Sequence, residues 1–302
     1  MINRTFRLYS TFFILHFSLF TVLFAQWGWG EDDAVESVEN GAINYSNGWV
    51  TATGIGAISP LAQNPGMARA TAVRAAKIDA MRNLLEAVMA IRVSSETTVR
   101  GAAVENDVIK TQVEGMVKGA KMLDINGDGQ VDYSGDIRYL SDTSIEIEMG
   151  VHMSGISSVV LPPEGFAPAP ATALATESAP AEALPTPGPG TITGLIVDAR
   201  GFEIRPAMSP RIVDQNGQTV YGPGNFTREY AIKFGVIGYS KNLESAQNDQ
   251  RVTANPLVVK GIGVEGANNT DVVIASSDAF KVKSADQSGQ FLSNCRVMIL
   301  LD

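Results

Sequence analysis

Between residues 145 and 153 apolar and polar side chains alternate without a break. Ile145, Ile147, Met149, Val151 and Met153 fall on one side, and Glu146, Glu148, Gly150 and His152 on the other. A period of two predicts a half-buried strand with its polar face in water. Residues 67–91 follow a different rhythm. They are rich in alanine, and Ala70, Val73, Met81, Leu84, Leu85 and Val88 share one side of a helical wheel, with Asp79, Arg82, Asn83 and Glu86 on the other. That pattern predicts a long helix whose apolar stripe needs a sheet or a second helix over it. A strand over 48–58, ending in Gly-Ile-Gly, precedes the helix, and Pro65-Gly66 marks the junction. Beyond the helix, the β-branched run 93–99 predicts a strand. Residues 105–117 predict a second helix stopped by Gly119, and 120–125 and 137–140 predict strands on either side of an aspartate-rich loop.

Residues 161–190 break this patterning. They hold eight of the 14 prolines together with eight alanines. Such a segment predicts an extended linker, reaching on the order of 90 Å at roughly 3 Å per residue. Patterning resumes after it. Residues 192–199 predict a strand, and 211–214 and 218–221 flank Asn216-Gly217 as a hairpin would. Residues 257–264 and 271–275 form a second candidate pair. Residues 295–301 are almost continuously apolar, which suits a central strand buried on both faces. Short helices are expected at 241–247 and 277–282. The fold class predicted is α+β: a small antiparallel sheet packed by one long helix over 42–160, a Pro/Ala-rich linker over 161–190, and a second α+β domain over 191–302.

The N-terminus adds a location. Arg4 and Arg7 precede an apolar run from Leu8 to Phe24, then small residues (Ala25, Gly28, Gly30) and the acidic Glu31-Asp32-Asp33. This is the layout of a secretory signal peptide over 1–25, cleaved near Ala25 or Gly30. The alternative is a transmembrane anchor, for which a run of this length is near the lower limit. Cleavage predicts a periplasmic chain with no transmembrane helix left. It also removes Arg4 and Arg7, leaving 23 − 2 = 21 basic residues against 32 acidic ones, a net charge of −11. Such a surface repels phosphate backbones, so nucleic acid is not an expected partner.

One segment carries a concentrated set of hard ligands. Asp124, Asn126, Asp128 and Asp132 offer side-chain oxygens at positions 1, 3, 5 and 9 of a loop with Gly129 at position 6, and Gln130 adds a carbonyl. That is the opening of an EF-hand-type calcium loop. Position 12, normally a bidentate glutamate, is Gly135, and the flanks predict strands rather than helices. Two readings stay open: a weak calcium clip at a hairpin tip, or a metal-free polar turn built on Asn126-Gly127-Asp128-Gly129. Elsewhere the chemistry is sparse. His152 is the one histidine left after cleavage, and it sits on the polar side of a predicted strand. Cys295, the single cysteine, adjoins an apolar run and predicts a small buried residue. A single histidine and a buried cysteine leave most hydrolytic triads and His-ligated zinc sites without parts. Gly261-Ile-Gly-Val-Glu-Gly266 matches G-x-G-x-x-G but lies inside a predicted strand, where it cannot cradle a phosphate. The segment from Asp198 to Pro206 joins charges to a glycine turn and reads either as an interaction loop or as a structural turn with a surface salt bridge.

Two segments carry a family resemblance. Gly54-Ile-Gly-Ala57, the helix from Ala68-Arg-Ala-Thr-Ala-Val-Arg through Ala80, Asn83-Leu-Leu-Glu86 and Val93-Ser-Ser-Glu-Thr97 resemble the LPP-type (LPP-twenty) outer-membrane lipoproteins. They are likewise similar to flagellar FlgP proteins and to the N-terminal domain of the flagellar ring protein FlgT. The resemblance spans about a third of the chain, from Val50 to Met153. The chain departs from the lipoproteins in having no lipid-bearing cysteine near the leader. Thr193-Gly-Leu-Ile-Val-Asp-Ala-Arg-Gly201 and Thr270-Asp-Val-Val-Ile274 resemble the extra domain of uncharacterised bacterial members of the same group. The resemblance implies a strand–long helix–strand fold and a non-catalytic envelope protein. Its implied partners are other envelope or flagellar proteins and further copies of itself. The alternative expectation is a calcium-dependent module binding an envelope ligand.

Overall fold

The computed structural model describes residues 29–123, 137–161, 190–252 and 254–302. The expected leader, the aspartate loop and nearly all of the Pro/Ala-rich segment lie outside the described residues.

Strand β3 (Trp49–Gly56) places Gly54 and Gly56 on the same face, and helix α1 (Pro65–Ala90) lies against them. A Cβ on Gly54 would stand 2.0 Å from the Ala80 nitrogen and 2.4 Å from the Ala76 oxygen. One on Gly56 would stand 2.0 Å from the Ala72 oxygen. Helix backbone therefore rests directly on strand backbone, a contact that only glycine permits. The buried stripe of α1 follows from this: Ala72, Ala76, Ala80, Leu84, Ala87 and Val88. The wheel predicts a stripe through Ala70, Val73 and Met81 instead, yet Ala70 is exposed and the other two are only partly covered. A hydrophobicity-weighted wheel picks large apolar side chains, whereas so close a contact selects the smallest. Two polar residues assigned to the water side serve the same contact. Asp79 accepts from the Ile55 N–H at 3.1 Å, and Asn83 donates to the Thr53 carbonyl at 2.8 Å.

The first sheet is antiparallel. Its order is β1 (Val35–Val38), β2 (Gly41–Asn44), β3, β6 (Ile145–His152), β4 (Lys121–Met122), with β5 (Ile137–Tyr139) also paired to β6. The apolar face of β6 is the one expected. Its other face is not uniformly in water, because Glu148 is only 4% exposed. Glu146 is ion-paired with Arg138 from β5.

β4 and β5 do not form the expected hairpin. Lys121 pairs with Gly150 and Met122 with Met149, then the Leu123 N–H donates to the Glu148 carbonyl at 3.0 Å. Ile137 takes up the pairing at Ile147, and Tyr139 reaches Ile145. The two strands are successive halves of one edge strand. The described strand stops at Leu123, opposite Glu148, and resumes at Ile137, opposite Ile147, so these flanks are not the two arms of a turn.

The β-branched run 93–99 does not become a strand. Only Arg92 and Thr98 make a bridge. Thr97 O closes a turn on the Val93 and Ser94 N–H groups, and loops take neighbouring carbonyls: Met208 N–H to Arg92 O at 2.9 Å, Ser209 N–H to Val93 O at 2.8 Å, and Asn268 N–H to Ser95 O at 3.0 Å. Helices α2 (Val99–Glu105) and α3 (Asp107–Lys118) follow, capped by the side chains of Thr98 and Asn106. Gly119 ends α3 as expected. Helix α4 (Met153–Val160), which the strand pattern concealed, starts directly after β6.

The second sheet is mixed. Its order is β10 (Gly238–Ser240), β13 (Val297–Leu300), β7 (Gly194–Asp198), β11 (Pro256–Glu265), β12 (Asp271–Ile274), β8 (Ile212–Asp214), β9 (Thr219–Tyr221). The first four strands are mutually parallel, β11 meets β12 antiparallel, and β8–β9 is the hairpin expected at Asn216-Gly217. All of β13 is buried, as its unbroken apolar run requires between two parallel neighbours. Helices α5 (Arg228–Phe234), α6 (Leu243–Asn248) and α7 (Ser276–Gly289) complete this half. Ile196, Met298 and Leu300 pack with Ala246 of α6, Val252 and the partly buried Leu243. The α+β class thus holds in both halves, with a parallel centre in the second.

The chain divides into two compact units that cut across the expected blocks. One takes in the described residues of Met1–Glu31, Ala52–Leu84 and Ala120–Gly150; the other those of Asp32–Thr51, Leu85–Gly119 and Val151–Asp302. Within the second, early and late segments are bonded directly. Arg92 is buried, ion-paired with Glu36, and donates to the Pro206 carbonyl at 2.9 Å. The Ser46 hydroxyl donates to Tyr239 O at 2.7 Å, and the Lys241 N–H donates to Asp32 O at 2.9 Å. Tyr45 meets Tyr239 edge to face at 5.9 Å.

Candidate functional site

The second unit contains a cleft of ≈ 290 Å³. Its walls come from five places: the turn after β2 (Tyr45–Gly48), the start of α4, the Ala207–Met208 loop, the end of α5, and β10 with Arg251. Capping requirements set the walls at the two helices. Gly48 has a φ of 76°, and a Cβ there would stand 2.9 Å from His152 Nε2, so the turn closes over the imidazole only with glycine. The Met153 N–H donates to Gly48 O at 2.7 Å, which ties that turn to the helix. Across the cleft, α5 ends at Gly235, whose φ is 77°. Arg251 caps this end: its guanidinium donates to the carbonyls of Phe234, of Gly235 at 3.1 Å and of Cys295 at 2.9 Å.

His152 is an N-cap. Its Nδ1 accepts from the Ser154 N–H at 3.2 Å and lies 2.8 Å from the Ser154 hydroxyl. An acceptor at Nδ1 places the proton on Nε2, which donates to Asn47 O at 3.2 Å. The Trp49 ring stands edge to face against the imidazole at 5.5 Å. Desolvation lowers the His152 pKa against a weaker opposing contribution from Asn47 O, which favours the neutral ring. His152 is exposed, as the polar side of the strand predicts, but its Nδ1 holds the start of α4 and its Nε2 the turn at Asn47.

The hydroxyl–imidazole contact of Ser154 escaped the sequence reading. The signal was present as His-x-Ser at a strand–helix junction. Chemically the pair resembles a nucleophile beside its base. The same Nδ1 also holds the backbone N–H of Ser154, however, so protonating it would undo the cap of α4.

The other reactive types are structural. Cys295 is fully buried, and desolvation pushes its thiol up to about 11, far from thiolate at neutral pH. The Tyr239 hydroxyl donates to Ala207 O at 2.8 Å and accepts from Ala207 N–H at 3.0 Å. Burial raises the pKa of Tyr239, so it stays a phenol. Gly261 and Gly263 lie within β11, as expected of a chance G-x-G-x-x-G match. At the Asp198 turn, Arg200 pairs with Asp198 at 2.8 Å, and Asp302 accepts from the Gly201 N–H.

The sequence-predicted metal residues Asp124, Asn126, Asp128, Gln130 and Asp132 lie outside the described residues. What is described is their frame, the interrupted edge strand, in place of a hairpin tip. Among the described residues, no group of three His, Cys, Asp or Glu side chains is placed to hold a metal ion.

Residues 194–302 match a family model described as the second domain of Treponema pallidum Tp0624. The match begins at the first residue of β7 and runs through the second sheet, taking in Ala207, Phe234, Tyr239 and Arg251 of the cleft. No curated protein matches the chain.

Proposed function

We propose that the chain is a non-catalytic envelope protein, periplasmic or associated with the outer membrane, that acts in structural assembly through protein–protein contacts. The observation that carries this reading is the apolar surface of the first unit. Leu61 is 88% exposed, Ile78 and Tyr139 are each 56% exposed, and Ile55, Ile58 and Met67 are exposed with them. Single exposed apolar residues are ordinary, but a concentration within one small unit suits a contact surface. The secretory layout of the N-terminus and the resemblance to flagellar and lipoprotein-type envelope proteins support the location, with flagellar or other envelope proteins as partners. The commitment of His152, Cys295 and Tyr239 to structural bonds supports a role without chemistry. Among the described residues no helix is long and apolar enough to cross a membrane.

Sedimentation over a concentration series tests the reading. Wild type should self-associate as concentration rises, and Leu61→Asp with Ile78→Asp should suppress this while circular dichroism stays unchanged. A wild type that stays monomeric throughout, or a double variant that associates as well as wild type, removes the apolar surface as the basis of the function.

A further inference from the structure

The cleft of the second unit carries charge of the wrong sign for this protein. The chain has 32 acidic residues against 23 basic ones, yet no Asp or Glu lines the cleft, whereas Lys233 and Arg251 do. Among the described residues neither cation has a carboxylate partner. Arg251 gives its guanidinium to three backbone carbonyls, which satisfies its N–H groups without neutralising its charge. Lys233 lies with its ammonium 5.1 Å from the Phe234 ring centroid and stays free to take an anion. The first turn of α4, with Met153 and Ser154, forms the facing wall and adds the partial positive charge of a helix start. The rest of the lining is mixed: Met153, Met208, Ile232 and Phe234 give an apolar side, while Asn47, Ser154 and Ser157 are polar.

From this we propose that the cleft binds a small amphipathic monocarboxylate. Its carboxylate lies on the Lys233 ammonium, and its hydrocarbon body lies against Ile232, Phe234, Met153 and Met208. One flexible ammonium suits a single negative charge better than a phosphate dianion, which selects for paired or forked donors. The volume limits the ligand's size. At roughly 30 Å³ per water-sized group, the cleft takes on the order of ten non-hydrogen atoms, the size of a medium-chain fatty acid. This cleft shares no residue with the apolar surface of the first unit, so either proposal can fail alone.

Calorimetric titration of the full chain with octanoate, octanamide and octyl phosphate tests the inference. Octanoate should bind about tenfold more tightly than octanamide, the increment of one charge-assisted hydrogen bond, and added salt should narrow the gap. Lys233→Gln removes an exposed side chain and should fold normally by circular dichroism. It should bring octanoate down to the affinity of octanamide and leave octanamide unchanged. Met208→Trp, which fills the apolar end, should weaken both. No heat from octanoate, equal affinity for octanoate and octanamide, or an unchanged octanoate affinity in Lys233→Gln overturns the proposal. Tighter binding of octyl phosphate than of octanoate overturns the choice of a monoanion.

Discussion

At the scale of single residues, the contact between Gly54, Gly56 and the alanines of α1 is the least tolerant point described. Gly54→Ala would set a methyl 2.0 Å from a backbone nitrogen that cannot rotate away, so α1 must lift from β3. Overpacking typically costs 1–3 kcal/mol, and a clash with backbone on both sides belongs at about 3 kcal/mol or more. Gly263→Ala is the control, because a Cβ there meets nothing within 4 Å; its effect should stay below about 1 kcal/mol. Urea midpoints of the two variants decide this, and equal midpoints would contradict the packing described. His152 makes a second prediction. Its folded pKa is depressed, so the unfolded chain binds the extra proton first. Its contribution to stability is complete above the unfolded value of about 6.5 and is lost as pH falls through the lower folded value. His152→Asn keeps an N-cap acceptor without that titration. Wild type should therefore lose more stability than the variant between neutral and mildly acidic pH; parallel curves would show that the cap does not titrate.

At the scale of elements, some patterns were legible and others were not, for identifiable reasons. β13, the β8–β9 hairpin and the β11–β12 pair could be read because their apolar runs and turn residues act locally. The segment 93–99 misled because Thr97 O closes a turn on the Val93 and Ser94 N–H groups, Thr98 caps the next helix, and the Val93 and Ser95 carbonyls bond to loops more than a hundred positions away, which no local pattern reports. The α1 stripe misled because hydrophobicity ranks alanine low, while the glycines opposite it require alanine. The cleft was invisible for a related reason: its walls come from segments around residues 46, 153, 208, 233 and 251, and its histidine acts as a cap. Arg92 gives the test at this scale. It joins the chain after α1 to β1 through Glu36 and to the loop at Pro206. Arg92→Ala leaves Glu36 without its cation and should cost on the order of 3 kcal/mol in chemical denaturation. Limited proteolysis should also cut the 204–209 loop faster in the variant. A loss under about 1 kcal/mol would mean that solvent replaces the pair easily.

At the scale of the whole molecule, the compact units do not follow the order of the chain. Residues 32–51 and 85–119 belong with 151–302, even though a proline-rich segment lies between the early and late stretches. A linker in sequence is therefore not a divider in structure. If a protease site is placed at residue 175 and cut, the two pieces should still co-elute in size exclusion under native conditions. Separation of the pieces would mean that the bonds at Asp32, Ser46 and Arg92 do not hold the unit together. Conversely, residues 191–302 expressed alone should be poorly soluble, since Pro206, Met208 and Tyr239 would lose partners from the early segments.

The interrupted edge strand suggests a repair. Leu123 stands opposite Glu148 and Ile137 opposite Ile147, so the chain leaves β6 at one rung and returns at the next. Splicing Leu123 to Ile137 should heal the edge into a continuous strand with the pleat in phase, because no side chain is forced to change face. The shortened protein should keep the circular dichroism of the parent. It also isolates the calcium question from the fold: heat on calcium titration that is present in the parent and absent after splicing would locate the metal in Asp124–Asp132, and equal behaviour would leave that loop a polar excursion. A splice that folds would show that the register of β6 is set by Lys121–Leu123 and Ile137–Tyr139 alone, so that this edge could carry loops of different length without shifting the sheet beneath it.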